Sequence, residues 1–573
     1  MDILMIGINA KFIHSNLAIR SIQQYAAEHG GVQLHRAEFT INQRVEFILP
    51  EIYKQKPQVV GFSCYIWNFE MVKRLANELK KVLPQTFVFF GGPEVSFNAE
   101  EVLRTTAADC VVCGEGEQSV TDLARCLEQG GDLHTVCGIV FRDGNDLVST
   151  PPAPLLPMAD VPFVYDDLSD LEHRILYYES SRGCPFQCQY CLSGNGQRVR
   201  MRPLEQVYRH LDFFLAHRVR QVKFVDRTFN CDRRYALSIW KYLHEHDNGY
   251  TNFHFEIAAE LLNEEMLAFL PQVRKGFFQF EIGVQSTNPK TLEHIKRITK
   301  IDELRVIVKR LQSGRNIHLH LDLIIGLPYE SYERFGESFN DVYHLRPDQL
   351  QVGFLKLLKG SGLYENRERY GIVCSEYAPY EVLYTDDLPY EKLLKLKMVE
   401  ELVEVYYNSN RFLKLTHYLV ELFPSPFAMF EAFAAFYEEN GLHRCSHTNV
   451  EYYTIAHRFF QSLHRGDEEL FQWYAKFDLY SHEKARKLPV WLTVSLHEAH
   501  KTAIYAFYEQ ADNRERLLPE FAELDTKQLY RQAHIEVFPF NPLTGEQRKT
   551  PILFNYRRCD LLGNAEHTVI TLD

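Results

Sequence analysis

The sequence predicts an α/β protein built from two successive strand–helix domains and a mostly helical C-terminal region. Three observations carry this. Short apolar runs alternate with amphipathic helical stretches over residues 1–145, the alternation resumes over 176–370 after a proline-rich break, and long aromatic-rich helical patterns replace it beyond about 370. At 573 residues the chain is too long for one ordinary core, so two to four domains are expected.

The first block opens on DILMIGIN (2–9), a short apolar run ending in turn-prone residues, which reads as a buried strand. LAIRSIQQYAAEH (17–29) follows as a helix. QLHRAEF, QVVGFSCY, TFVFFGG and ADCVVCGEG are further strands, with the amphipathic helix MVKRLANELKKVL (71–83) between two of them. Such alternation implies a parallel sheet that binds ligands at the carboxyl ends of its strands. Over 146–175, VSTPPAPLLPMADVP carries five prolines, which block helix and central strand alike and mark a linker.

From 176 the strands ILYYESSRG, QVKFVDRTFN, FHFEIAAE, GFFQFEIGVQS, HLHLDLIIGLP and LQVGFLKLL alternate with helical segments. Six such steps suggest a partial (β/α)6 barrel over 176–370, with its chemistry on the loops after the strands. Residues 371–573 contain YEKLLKLKMVEELVEVYYNSN and FAMFEAFAAFYEEN, both helical, and close on the small β tail HIEVFPFN, PILFNYR and HTVITLD. The aromatics of this region read as core packing.

Hydrophobic residues make up 46% and charged residues 24%, an ordinary globular balance. A net charge of −13 argues against a protein that coats nucleic acid or anionic membrane. No run approaches eighteen apolar residues and the N-terminus lacks a signal-peptide succession, so a cytoplasmic protein with no membrane partner is expected. The twelve cysteines are scattered rather than arrayed as a disulfide framework, which fits a reducing compartment.

One cysteine group stands apart. In ESSRGCPFQCQYC, Cys184, Cys188 and Cys191 are spaced C-x3-C-x2-C on one loop after a strand, with Tyr190 before the last thiol. Thiolates favour zinc, copper(I) and iron–sulfur clusters. A structural zinc site closes on four ligands, commonly as two pairs, yet the next cysteine, Cys231, lies forty residues away. Three thiolates on a cubane cluster leave one iron open; zinc with a remote fourth ligand is the alternative.

This triplet, after a barrel's first strand, resembles the radical S-adenosylmethionine (SAM) family. The resemblance implies a [4Fe–4S] cluster whose open iron chelates SAM, cleavage of SAM to a 5′-deoxyadenosyl radical, and an electron donor such as flavodoxin or ferredoxin. It places Tyr190, Asp226, Glu260, Glu281, Gln285, Ser286 and Asp322 at the SAM site, although for any one of them a structural hydrogen bond fits as well. Gly326 and Pro328 match the fifth-strand motif. At the sixth strand Lys359-Gly360-Ser361 stands where the family has proline-glycine-threonine, which departs from its pattern.

The first block has no G-x-G-x-x-G, which disfavours a dinucleotide site, and the two glutamates of GEGEQS would repel phosphate. Its motif order resembles the Rossmann-like cobalamin-binding domain that precedes the barrel in cobalamin-dependent radical SAM enzymes. The positions implied are Asn9, Lys11 and His14 after strand one, Ser63 and Tyr65 after strand three, Gly91, Gly92, Pro93 and Glu94 after strand four, and Gly114, Glu115, Gly116 and Glu117 in the closing segment. The D-x-H-x-x-G motif that supplies a cobalt-ligating histidine is absent. Lys11 falls near its place and is protonated at neutral pH, so cobalt is expected to lack an imidazole ligand, with Tyr65 a candidate beneath it. His14 reads as a cavity-lining or a packing residue.

The expected function is methylation of an unactivated carbon, with cobalamin carrying the methyl group. Non-methylating radical chemistry and a zinc-bearing sensor are the alternatives. Arg198, Arg200 and Arg202 follow the cysteine loop and would either meet phosphate or carboxylate or form a solvated or ion-paired face.

Overall fold

The computed structural model describes residues 1–193, 198–485, 487–521, 523–559 and 563–572. It divides into two compact units. The first holds residues 1–319, 326–330 and 354–389, and the second holds 320–325, 331–353 and 390–573.

In the first unit the strands β1 (Ile3–Asn9), β2 (Leu34–Thr40), β3 (Val59–Ser63), β4 (Phe87–Gly91) and β5 (Cys110–Val112) alternate with α1 (Leu17–Tyr25), α2 (Val45–Gln55), α3 (Phe69–Val82), α4 (Ala99–Thr105) and α5 (Gly116–Gln129). β6 (Ile139–Asp143) and β7 (Asp146–Ser149) complete a seven-stranded sheet of order β2-β1-β3-β4-β5-β6-β7. β1–β5 run parallel and the last two antiparallel. β7 occupies the start of the stretch expected as linker. Its backbone pairs with β6, and the prolines begin only after it.

Both faces of this sheet are buried. Leu4, Ile6 and Ile8 pack on one side with Phe62 and Phe90, and Ile3 and Met5 pack on the other with Phe89 and Val112. That explains the near-continuous apolar strands, since helices cover a parallel sheet on both sides. Strand order reverses at β1/β3, so a crevice opens between their carboxyl ends.

The second sheet of this unit pairs β8 (Leu176–Tyr178), β11 (Gln221–Phe224), β12 (Asn252–Glu256) and β13 (Phe278–Gln285) in parallel and in chain order. α6 (Leu204–Ala216), α7 (Arg233–Glu245), α8 (Glu264–Phe269), α9 (Pro289–His294) and α10 (Ile301–Ser313) fall in the connections. The sheet packs through aromatics, with Phe224 and Phe255 centroids 4.6 Å apart and Trp240 stacked on Phe280 at 5.2 Å. Between β8 and α6, β9 (Ser181–Arg182) and β10 (Arg200–Met201) form a short antiparallel ladder that closes the cysteine loop.

Two further strand candidates of the barrel, β14 (His318–Ile325) and β15 (Gln349–Phe354), form as expected, with most of their residues in the second unit. β16 (Val373–Cys374) and β17 (Val382–Tyr384) make a hairpin in the first unit. Residues 371–389 thus fall within the first compact unit. Val382 donates to the Leu355 carbonyl at 2.9 Å, and Tyr329 donates its backbone N–H to Asp387 at 2.8 Å.

The second unit is helical and aromatic. Phe339, on the helix Tyr332–Tyr343, packs on Phe427 and Phe430, and Phe433 stacks on Phe459 at 4.3 Å. The aromatics here are core, as expected. β18 (His534–Phe538), β19 (Thr550–Cys559) and β20 (Ala565–Val569) form the antiparallel tail. Asp573, the last residue of the expected HTVITLD strand, lies outside the described residues. Among the described residues no single helix is long and apolar enough to cross a membrane.

Candidate active site

The crevice at the β1/β3 switch point widens into a cavity of about 1390 Å³. One side is built from the carboxyl ends of the first sheet, and the other from Tyr177 in β8 and Glu179 after it, the roots of the cysteine loop and Arg227 after β11. Of the residues expected around cobalamin, Asn9, His14, Ser63, Tyr65, Gly91, Gly92, Pro93, Gly114, Glu115, Gly116 and Glu117 line it. Lys11 and Glu94 do not. Lys11 is exposed on the loop, and Glu94 accepts a hydrogen bond from Tyr380, with burial raising its carboxyl above the usual range.

The crevice floor is tied together by Asn68. Its side-chain amide donates to the carbonyls of Ile8 and Ser63, both at 2.9 Å, and its oxygen accepts from the Tyr65 N–H at 2.8 Å. One buried amide thus joins the ends of β1 and β3 and holds the loop that carries Tyr65. The Tyr65 ring stacks on Trp67 at 4.4 Å, and Trp67 is 43% exposed. Asn9 is committed to the loop, donating to Glu38 at 2.8 Å and to the His14 carbonyl at 3.1 Å. His14 pairs through Nδ1 with the Tyr177 hydroxyl at 2.6 Å, and burial followed by Lys11 lowers its pKa. This neutral imidazole is therefore already engaged by a phenol.

The two glycines after β4 differ. Gly92 has φ +115°, and a Cβ there would sit 2.5 Å from the Cys64 carbonyl, so the backbone itself demands glycine. A Cβ on Gly91 would meet only Val112 at 3.7 Å, an ordinary contact. Gly91 leaves room toward the cavity; Gly92 makes the turn.

The cysteine loop lies beside the second sheet. Cys184 Sγ is 3.4 Å from the Thr228 hydroxyl, the Ser193 N–H donates to Cys191 Sγ at 3.4 Å, and Arg297 Nη1 lies 3.9 Å from Cys188 Sγ. Among the described residues no three His, Cys, Asp or Glu side chains converge as the ligands of one ion do.

The residues expected around SAM separate into two groups. Glu260 and Gln285 each keep a buried carbonyl-type oxygen without a hydrogen-bond partner. Gln285 also has φ +72°, a strained conformation for a residue with a side chain, of the kind that clusters at ligand sites. Tyr190 lies with them beside Arg297, and burial raises its phenol well above the ordinary value.

The others are engaged in holding the fold. Asp226 accepts from the backbone and hydroxyl of Ser180 at 3.0 and 2.6 Å and from the Ser181 hydroxyl at 2.6 Å. Glu281 accepts from Lys223 at 3.1 Å and His254 at 3.0 Å, and Ser286 donates to Glu330 at 2.7 Å. Asp322 lies in the second unit, paired with His320 at 3.1 Å.

Arg200 is ion-paired, as one of the two readings had it, whereas Arg202 is neither solvated nor ion-paired but buried against backbone carbonyls. Arg200 pairs with Glu115, and Arg202 is 3% exposed and donates to the Val161 carbonyl at 2.7 Å. Arg182, Arg227 and Arg297 escaped sequence reasoning. An isolated loop arginine has no periodicity or spacing, and only tertiary packing puts Arg297 beside a thiol.

Comparisons with known proteins agree with this arrangement. A family model described as "B12 binding domain" matches residues 3–124, "Radical SAM superfamily" matches 178–342, and "Protein of unknown function (DUF4080)" matches 368–554. An uncharacterized methyltransferase, PH0819, of Pyrococcus horikoshii is 26% identical over 55% of this chain and 70% of its own length. The cobalamin-dependent radical SAM methyltransferase TokK of Streptomyces tokunonensis is 27% identical over 55% of this chain, which spans only 50% of TokK. Among solved structures, the cobalamin-dependent S-adenosylmethionine radical enzyme OxsB, with aqua-cobalamin and S-adenosylmethionine bound, has a TM-score of 0.58 at 14% identity, over 87% of this chain and 75% of that one. That likeness is one of fold. The chain thus carries a B12 binding domain, a radical SAM domain and a DUF4080 region, in that order.

Proposed function

We propose that this protein is a cobalamin-dependent radical SAM enzyme that methylates an unactivated carbon of its substrate. One observation carries the reading: the B12 binding domain and the radical SAM domain share a single cavity of about 1390 Å³, bounded by the strand ends of one and the cysteine-loop roots of the other. A substrate held there can face both cofactors at once, as group transfer between them requires. The methyltransferase names of PH0819 and TokK favour methyl transfer.

The residues present fit the cofactors. Three reduced thiols on one loop, Cys184, Cys188 and Cys191, would hold the [4Fe–4S] cluster, and the Arg297 guanidinium complements thiolate charge at Cys188. The spare oxygens of Glu260 and Gln285 would accept from the amine and ribose groups of SAM. The open face at Gly91, with Ser63 and Tyr65, would receive cobalamin, and the absence of a D-x-H-x-x-G motif supports binding without an imidazole from this loop. When bound, cluster and SAM supply hydrogen-abstracting chemistry and cobalamin supplies the methyl group. Around them the chain orients the partners, and the stacked Tyr65 and Trp67 rings present an apolar wall that restricts water. Cytoplasmic residence, which twelve unpaired cysteines support, belongs to the same reading, as does an electron donor such as flavodoxin or ferredoxin.

The test is product analysis. Anaerobically reconstituted protein, reductant and SAM with a deuterated methyl group are incubated with a small-molecule extract of the host cells. A product carrying the label on carbon is expected. Formation of 5′-deoxyadenosine with a new but unlabelled product would exclude methylation.

A further inference from the structure

The GEGE segment 114–117 has an unusual partner. Arg182 and Arg200 are directly opposite one another in the β9–β10 ladder that closes the cysteine loop. Like charges facing across a two-residue ladder repel, and so short a ladder contributes little pairing energy of its own. The neutralising carboxylates come from the other domain. Arg182 reaches Glu117 at 2.6 Å and Glu115 at 3.2 Å, and also Glu179 at 2.9 Å within its own domain. Arg200 pairs with the same Glu115. All five side chains are largely buried; Arg182 is 14% and Glu117 5% exposed.

We infer that Glu115 and Glu117 are positioning residues that couple the two cofactor sites: the cysteine loop closes against the cobalamin domain through them. This rests on the functional reading above and explains a motif that reading leaves unused. Gly114 and Glu115 on one side and Gly183 on the other line the same cavity, so the network sits where both cofactors bear on it. A buried pair that loses one partner leaves an uncompensated charge, so displacement of the GEGE segment opens the loop root and opening of the root releases the segment. Coupling of this kind is reciprocal: a loaded cluster tightens cobalamin binding by the same factor as cobalamin tightens cluster retention.

The experiment titrates hydroxocobalamin, followed by its absorbance, into full-length protein with the cluster reconstituted and with the cluster stripped by chelation. In the natural protein the reconstituted form is expected to bind at least about fivefold more tightly. In Glu115→Gln that ratio should fall to within about twofold of one, and Glu115→Asp, which keeps the charge, should restore most of it. Arg200→Gln removes the same pair from the other side and gives the same readout where Glu115→Gln fails to fold. Equal affinity in both forms of the natural protein, or an undiminished ratio in both variants, would overturn the coupling while leaving the functional reading intact. Failure of the natural protein to take up either cobalamin or iron would instead overturn the reading itself, and the coupling with it.

Discussion

The Asp226 carboxylate accepts the Ser180 hydroxyl at 2.6 Å, joining the loop after β11 to the chain four residues before Cys184. Three donors converge on this one buried acid, and burial raises its pKa despite them. Its task is to hold the start of the cysteine loop. Asp226→Ala strands two hydroxyls and an amide, which should cost about 1–3 kcal/mol. Iron and sulfide per chain after reconstitution should fall with the melting temperature. A destabilised variant with full cluster content would separate Asp226 from the loop.

The cysteines themselves give a sharper contrast. Cys184→Ala, Cys188→Ala and Cys191→Ala should each abolish the reconstituted cluster absorbance and SAM cleavage. Cys231, at the end of the short helical turn Phe229–Cys231, sits close enough to Cys184 to interact electrostatically, and burial pushes its thiol up to about 11. Protonated at neutral pH, it is a poor ligand, and Cys231→Ala should keep the cluster. Iron and sulfide analysis of the four variants decides the ligand set.

The glycines after β4 should separate folding from binding. Gly92→Ala places a Cβ against the Cys64 carbonyl and imposes a left-handed φ on alanine, so it should destabilise the protein by at least about 2 kcal/mol. Gly91→Leu brings its Cβ only into ordinary contact, 3.7 Å from Val112. It should melt near the natural temperature and lose cobalamin uptake, read by gel filtration and absorbance. Normal uptake by Gly91→Leu would remove this surface from the cobalamin site.

His210 gives a pH signature. Burial, aided by Arg202 and Arg209, pushes its pKa down to about 3, and its ring stacks on Phe163 at 4.2 Å while contacting the Tyr178 hydroxyl at 3.0 Å. The unfolded chain protonates this residue near 6.5 and the folded chain does not. Stability from it is therefore full above about pH 6.5 and is lost as pH falls toward 3. Between pH 7 and 5 the loss is up to about 2 kcal/mol. His210→Gln should be less stable at pH 7 yet show a flatter decline, measured by urea unfolding at both pH values.

The second unit constrains truncation. Asn340 accepts the Phe427 N–H at 2.8 Å and Phe339 packs on Phe427, so residues 331–353 are completed by the chain beyond 390. A protein ending at Pro389 should bind a hydrophobic dye and aggregate, whereas cutting at 370 would also sever the hairpin of β16 and β17. Soluble yield and dye binding of the Pro389 truncation test this. A well-behaved, dye-negative fragment would show that the helix Tyr332–Tyr343 needs no cover.

Much of this protein is decided locally. Apolar runs such as DILMIGIN and TFVFFGG must be buried strands because both of their faces lie under helices, and the spacing of Cys184, Cys188 and Cys191 is a property of one loop. The strand–helix alternation and the cysteine triplet follow from short-range patterns that a chain carries in its sequence. What folding alone decided are relations between distant residues. Glu115 and Glu117 look like a phosphate-repelling loop until Arg182 and Arg200 arrive from 65 and 85 residues away to neutralise them. Asp226 and Ser286 resemble ligand-binding groups until Ser180 and Glu330 take up their hydrogen bonds, while Glu260 and Gln285 keep theirs open. Charge and hydrogen-bonding capacity are written in residue types; whether they are spent within the fold or left for a ligand depends on which partners the tertiary structure brings within about 3 Å.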